Sequence, residues 1–174
     1  TFRIHLNTGW NMISSNTLPA DANLPSVFSE LTSVVEIVKD VDGNSYLPVF
    51  NINSIGNWEI TKGYQVRSAA DTVLTITGSQ VDPAATPIPI TPNWQIISYL
   101  RRQAAPISEQ LAGIAGIVEL VKDNLGAHVY IPGLINSIGD MQPGQGYQLK
   151  ALSSGTLSYT PNQLWSDPSV VQSA

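Results

Sequence analysis

Apolar residues along this chain fall in short runs of β-prone type, separated by turn residues. Phe2-Arg3-Ile4-His5-Leu6 and Trp10 to Ser14 form two such runs. They predict a strand that breaks or turns at Asn7-Thr8-Gly9. Leu24 to Leu31 departs from this rhythm, with Pro25 in the first turn and apolar residues at 27, 28 and 31. That spacing predicts one short helix, matched further on by residues from about Ile107 to Ile114. Val34 to Asp40 and Ser45 to Phe50 flank Asp42-Gly43, a dipeptide that accepts the positive φ of a tight turn, and predict a hairpin. Gly63 to Ala69 and Thr72 to Thr77 predict a second hairpin about Ala70-Asp71. The unit reads β-α-β-β-β-β, an α+β, mostly β fold of curved strands, hairpins and one short helix.

The same order of blocks then occurs a second time. Gly9-Trp10-Asn11-Met12-Ile13-Ser14 is answered by Asn93-Trp94-Gln95-Ile96-Ile97-Ser98, and Val35 to Asp40 by Val118 to Asp123. Tyr46-Leu47-Pro48 is answered by Tyr130-Ile131-Pro132, and Asn53-Ser54-Ile55-Gly56 by Asn136-Ser137-Ile138-Gly139. Gly63-Tyr64-Gln65-Val66-Arg67 is answered by Gly146-Tyr147-Gln148-Leu149-Lys150. Two tandem pseudo-symmetric units follow, over 1–81 and 93–164. Between them 82–92 holds prolines at 83, 87, 89 and 92 and is expected to be extended, leading into the second unit's first strand. Residues 165–174 have no counterpart. Paired apolar positions such as Ile13 and Ile97, Val38 and Val121, and Val66 and Leu149 are expected in the core.

The blocks Gly-Trp-Asn-x-Ile-Ser, Val-Lys-Asp-x-x-Gly-x-x-Tyr-x-Pro, Ile-Asn-x-Ile-Gly and Gly-Tyr-Gln together resemble a repeat module of large secreted proteins of environmental bacteria. Gly9-Trp10-Asn11, Val38-Lys39-Asp40, Ile52 to Gly56 and Gly63-Tyr64-Gln65 carry the resemblance in the first unit. Val121-Lys122-Asp123, Ile135 to Gly139 and Gly144 to Gln148 carry it in the second, which departs at Pro92-Asn93 where the first has Thr8-Gly9. The resemblance implies an extracellular or cell-surface, multidomain setting, with catalytic or adhesive neighbours. It implies no chemistry.

Composition narrows the partners. Charged residues are only 12%, and Ser, Thr, Asn and Gln take their place, as suits a secreted protein. A net charge of −5 with eight scattered basic residues argues against nucleic acid and anionic membranes. No apolar run is long enough to insert in a bilayer. Without cysteine there is neither a disulfide nor a thiolate, and stability rests on burial and backbone pairing. A start at Thr1 rather than Met is expected of a processed product or an excised fragment, the fragment being the preferred reading.

Candidate chemistry is sparse, and neither catalytic residues, nor a metal, nor a cofactor are expected. Asp40-Val41-Asp42-Gly43-Asn44 has the alternating oxygens of a calcium loop but lacks its Gly and Glu positions, and Leu125 replaces the second Asp. A hairpin turn is the better reading. His5 and His128 have no ligand-spaced companions. Glu36, Glu59, Asp71 and Asp140 are candidates for a glycosidase pair, yet only Glu36 recurs, as Glu119, which points to ion pairing with strand cations such as Lys39, Arg67 and Lys150. Matched aromatics, Trp10 with Trp94 among them, are expected in the core. Trp58 lies between Asn57 and Glu59 in a polar loop, opposite Met141 in the second unit, and is the candidate for a flat platform stacking on a sugar ring, with Asn57 beside it. Tyr99 and Trp165, both unmatched, are weaker candidates. Two readings result: a carbohydrate-binding accessory module whose partner is a polysaccharide, or a spacer or interaction module contacting another cell-surface protein or neighbouring domains of the same polypeptide.

Overall fold

Strand follows strand through the first unit, in the computed structural model, which describes residues 1–163. The order is Phe2–Leu6 (β1), Gly9–Ile13 (β2), Thr17–Pro19 (β3), the helical turn Leu24–Val27 (α1), Val35–Lys39 (β4), Ser45–Leu47 (β5), Ile52–Asn53 (β6), Tyr64–Ser68 (β7), Thr72–Ile76 (β8) and Gly78–Gln80 (β9). The second unit follows a similar course: Ile88–Ile90 (β10), Asn93–Ile97 (β11), Ala105–Pro106 (β12), Ile107–Gln110 (α2), Val118–Lys122 (β13), Val129–Ile131 (β14), Ile135–Asn136 (β15), Asp140–Met141 (β16), Tyr147–Ala151 (β17) and Gly155–Leu157 (β18). A β12-β16 ladder stands where the first unit has the single bridge Asn23–Asn57, and among the described residues no ladder answers β3-β9. Each unit holds a five-stranded antiparallel sheet, ordered β2-β7-β4-β5-β6 in one and β11-β17-β13-β14-β15 in the other. Two-stranded ladders β1-β8 and β10-β18 accompany them.

The expected fold class is present, and so are the expected paired core positions. Ile13, Ile97, Val38, Val121, Val66 and Leu149 are all buried, each such side chain contributing about 1.5–3 kcal/mol. The helices are shorter than the pattern implies. α1 ends after Val27, and its C-cap residue Phe28 is fully buried among the strands. In the second unit a 3-10 turn, Ala112–Ile114, takes up the remainder of the expected helix. β10 lies inside the proline-rich stretch, with Ile88 and Ile90 already in the second core. Pro89 is tolerated there because β10 has a partner on one edge only.

One expected pairing is absent. Residues 63–69 and 72–77 do not form a hairpin: β7 pairs with β2 and β4, whereas β8 pairs with β1. The chain turns a corner instead. β1 and β2 bend at Asn7-Thr8-Gly9 just where β7 and β8 bend at 69–71, so one long ladder passes from one sheet into the next. Asp71 fixes the corner by accepting hydrogen bonds from the Thr8 N–H (2.8 Å) and hydroxyl (3.0 Å), which hold its carboxyl below the usual range. Gly9 has φ +96°, and Asn93 takes the left-handed region at φ 74° in the second unit. Asparagine is among the few residues with a side chain that tolerate it. Matched β-bulges between Val35 and Ile37, and between Val118 and Leu120, bend the central strands.

The two units share a seam with pseudo-twofold symmetry. Gly63 N–H donates to Ile96 O and Ser98 N–H to Thr61 O; reciprocally, Gly146 N–H donates to Met12 O and Ser14 N–H to Gly144 O. Each unit's β7-type strand thus pairs with its own sheet and, through the residues just before it, with the other unit. Gly63 and Gly146 meet at the centre, where a methyl on Gly63 would lie 3.3 Å from the Gly146 Cα. Only glycine permits so close an approach. The Ser14 hydroxyl completes the seam, donating to Gln145 O and accepting the Tyr99 N–H.

Candidate functional site

The three residues expected to bind a ligand do not come together. Trp58 is 2% exposed and sits in the first core against Phe28 and Tyr64, its ring centroid 4.7 Å from that of Tyr64. This corrects the reading of Trp58 as a surface platform. The loop around it is polar because Asn57 and Glu59 face water, yet backbone bonds pin it to the start of α1: Trp58 N–H to Ala22 O (2.7 Å) and Leu24 N–H to Gly56 O (3.1 Å). That pinning turns the indole inward, onto the position filled by buried Met141 in the other unit. Asn57 is exposed. Tyr99 is fully buried in the second core, edge-on to Tyr159 with centroids 5.2 Å apart, and its hydroxyl donates to Gln103 O. Trp165 and the rest of 165–174 lie outside the described residues.

The paired tryptophans are misplaced in the opposite sense. Trp10 is 39% exposed and Trp94 half-buried, both on the outer faces of their sheets. In β2 the inward positions go to Asn11 and Ile13, because the Asn11 amide is needed inside the corner. It bonds Asn7 N–H and O (2.9 and 2.8 Å) and Gly9 O (3.1 Å). Gln95 plays the same part in the second unit, holding Thr91 N–H and Pro89 O. Cations lie over the displaced indoles: Lys39 at 5.7 Å from Trp10, and Lys122 at 5.1 Å and Lys150 at 5.9 Å from Trp94.

The acids take structural parts. Glu36 and Glu119, set at the two bulges, pair with Arg67 (3.1 Å) and Lys150 (3.0 Å). These pairs are exposed and contribute little. The Asp40 carboxylate caps its own hairpin turn, accepting from Asp42 N–H, Asn44 N–H and the Asn44 side-chain amide. Asp123 does the same with His128, taking its backbone N–H and meeting its ring Nδ1 at 2.6 Å. The histidine thus stands in the turn where the first unit has Asn44. Among the described residues no three or more His, Asp or Glu gather as a metal-binding group.

Two clefts flank the seam at pseudo-equivalent positions, and neither is legible in a single repeat. Each combines the first strands of one unit with the turns of the other. The first cleft, about 230 Å³, is walled by Ile88, Pro89, Trp94 and Ile96 of the second unit, facing Asp40, Asp42 and Lys62 of the first. Lys62 is held by Glu59 at 2.7 Å, and that hydrogen bond, with smaller help from Asp42 and Asp40, raises its pKa. The second cleft, about 240 Å³, replaces these groups with Arg3, His5, Asn7, Asn124 and Gln145, and Trp10 does not line it. Elsewhere, apolar residues stand exposed at the tip of each outer hairpin: Val49 and Phe50 (76% and 70%) in the first unit and Leu134 (76%) in the second. Compared with protein-family models, with curated proteins and with solved structures, the chain matches none of them.

Proposed function

We propose that the chain is a non-catalytic module of a larger extracellular polypeptide, serving as a rigid two-unit spacer that offers contact surfaces to neighbouring domains. The observation that carries this reading is the reciprocal exchange of backbone hydrogen bonds at the Gly63–Gly146 seam. It joins two repeats into one body with a fixed spacing, without any disulfide. The matched apolar hairpin tips, with Val49 and Phe50 on one unit and Leu134 on the other, supply two contact points related by the same pseudo-symmetry. The sparse charge and the resemblance to secreted repeat modules support an extracellular or cell-surface setting.

Single-molecule stretching tests the spacer reading. A fused pair gives one rupture releasing roughly 50 nm of chain, at about 3.5 Å per residue. Two ruptures of roughly half that length would describe two beads on a string and contradict it. The carbohydrate-binding reading keeps one specific support, which is the seam cleft lined by Trp94 rather than the loop bearing Trp58.

A further inference from the structure

We infer that the seam cleft between Trp94 and the Asp40–Asp42 turn is a binding site for a neutral oligosaccharide, present once per molecule. Its two walls differ in chemistry. The second unit supplies an apolar floor of Ile88, Pro89, Trp94 and Ile96, while the first supplies Asp40, Asp42, Thr61 and Lys62. A sugar ring has the same two-sidedness, with an apolar C–H face and a rim of hydroxyls that both donate and accept. Ring hydroxyls would donate to the Asp42 and Asp40 carboxylates and accept from the Lys62 ammonium.

The cleft carries charges of both signs close together, Asp40 and Asp42 with Lys62 on one wall and Lys122 and Lys150 over the Trp94 ring. No field of one sign therefore favours a charged ligand, and a neutral polyhydroxyl ring meets both acceptors and donors. The Asp42 carboxylate makes no hydrogen bond among the described residues, whereas that of Asp40 is engaged by its turn. Asp42 is therefore the acceptor ready for a ligand. Trp94 is half-buried, so part of its side-chain freedom is already lost before binding. A volume of about 230 Å³ suits a single ring of a longer chain, below the range of drug-sized pockets.

The pseudo-equivalent cleft serves as a built-in comparison. It has the same backbone frame but lacks the tryptophan, the carboxylates and the lysine. One site per molecule is expected, composed from both units and absent from either alone. This inference rests on the fusion of the two units that the spacer reading also uses, since a flexible pair could not form the cleft; it does not rest on the module acting as a spacer.

Calorimetric titration of the intact chain with cellohexaose, xylohexaose and mannohexaose tests it, with a galacturonic acid hexamer as the anionic control. Expected is binding of at least one neutral hexasaccharide at a stoichiometry of one, weakened tenfold or more by Asp42→Ala and by Trp94→Ala, and unchanged by Trp10→Ala. The Asp42→Ala arm decides if Trp94→Ala lowers the melting temperature. Failure of all three neutral hexasaccharides to bind would overturn the inference. So would a stoichiometry of two, preference for the anionic hexamer, or affinity insensitive to Asp42→Ala.

Discussion

Replacing Gly146 by alanine puts a methyl carbon 2.8 Å from the Ile13 carbonyl oxygen and 3.2 Å from its carbonyl carbon. The obstacle is backbone from the other unit, so no side-chain rotation relieves it. The seam must widen, stretching the Gly146–Met12 and Ser14–Gly144 hydrogen bonds, both 3.0 Å. Overpacking of this kind costs about 1–3 kcal/mol, and each weakened backbone bond adds up to about 1 kcal/mol. Gly146→Ala should therefore lose about 1–5 kcal/mol of stability, by the sum of those two effects. Gly113→Ala is the control, because a methyl there meets nothing within 4 Å. Such a change should stay within about 0.5 kcal/mol of the parent. Urea unfolding followed by tryptophan fluorescence gives both values. If Gly146→Ala proves as stable as Gly113→Ala, the close approach of the two units is not what the seam depends on.

Three further outcomes follow from the packing and charge states. Trp58→Ala should cost about 3–5 kcal/mol as a core truncation, and Trp10→Ala at most about 1 kcal/mol as a part-exposed surface change; equal losses in thermal melts would contradict the assignment of core and surface. Burial pushes the Tyr64 phenol up to about 12 and raises Tyr147 and Tyr159 as well. The folded state keeps these protons at a pH where the unfolded chain, near 10, has released them. Their stabilisation is thus complete below pH ~10 and is lost as pH rises from there towards the folded values, by about 1.4 kcal/mol per pH unit for each phenol. Denaturation midpoints flat between pH 9 and 11.5 would refute it. Asn93→Ala should cost about 1–2 kcal/mol through its left-handed backbone, while Asn93→Gly should be neutral or stabilising in the same melts.

Much of the fold is legible because the chain states it twice. Ile13 with Ile97 and Val66 with Leu149 mark the same inward positions in both units, and Asp42-Gly43 marks its hairpin through the positive φ that Gly43 adopts (88°). Local pattern cannot say which sheet a strand joins. β7 and β8 look like a hairpin because they are adjacent and β-prone, but their partners are fixed by the corner that Thr8 and Asp71 build. The tryptophans reverse for a related reason. Asn11 takes an inward place for its hydrogen bonds and drives Trp10 outward, whereas Trp58 is drawn in by loop backbone bonds. A signal for Trp58 was present, since its counterpart Met141 is also apolar. The seam cleft had no such signal, as its walls lie in different repeats.

Native-state hydrogen exchange at the seam amides tests the fusion of the two repeats most directly. The Gly63, Gly146 and Ser14 amides donate only across the seam. If the repeats form one body, these protons exchange through global unfolding, with the same free energy as the amides of the central strand β7. Exchange at the seam several kcal/mol easier than in β7, with both cores still protected, would contradict the account.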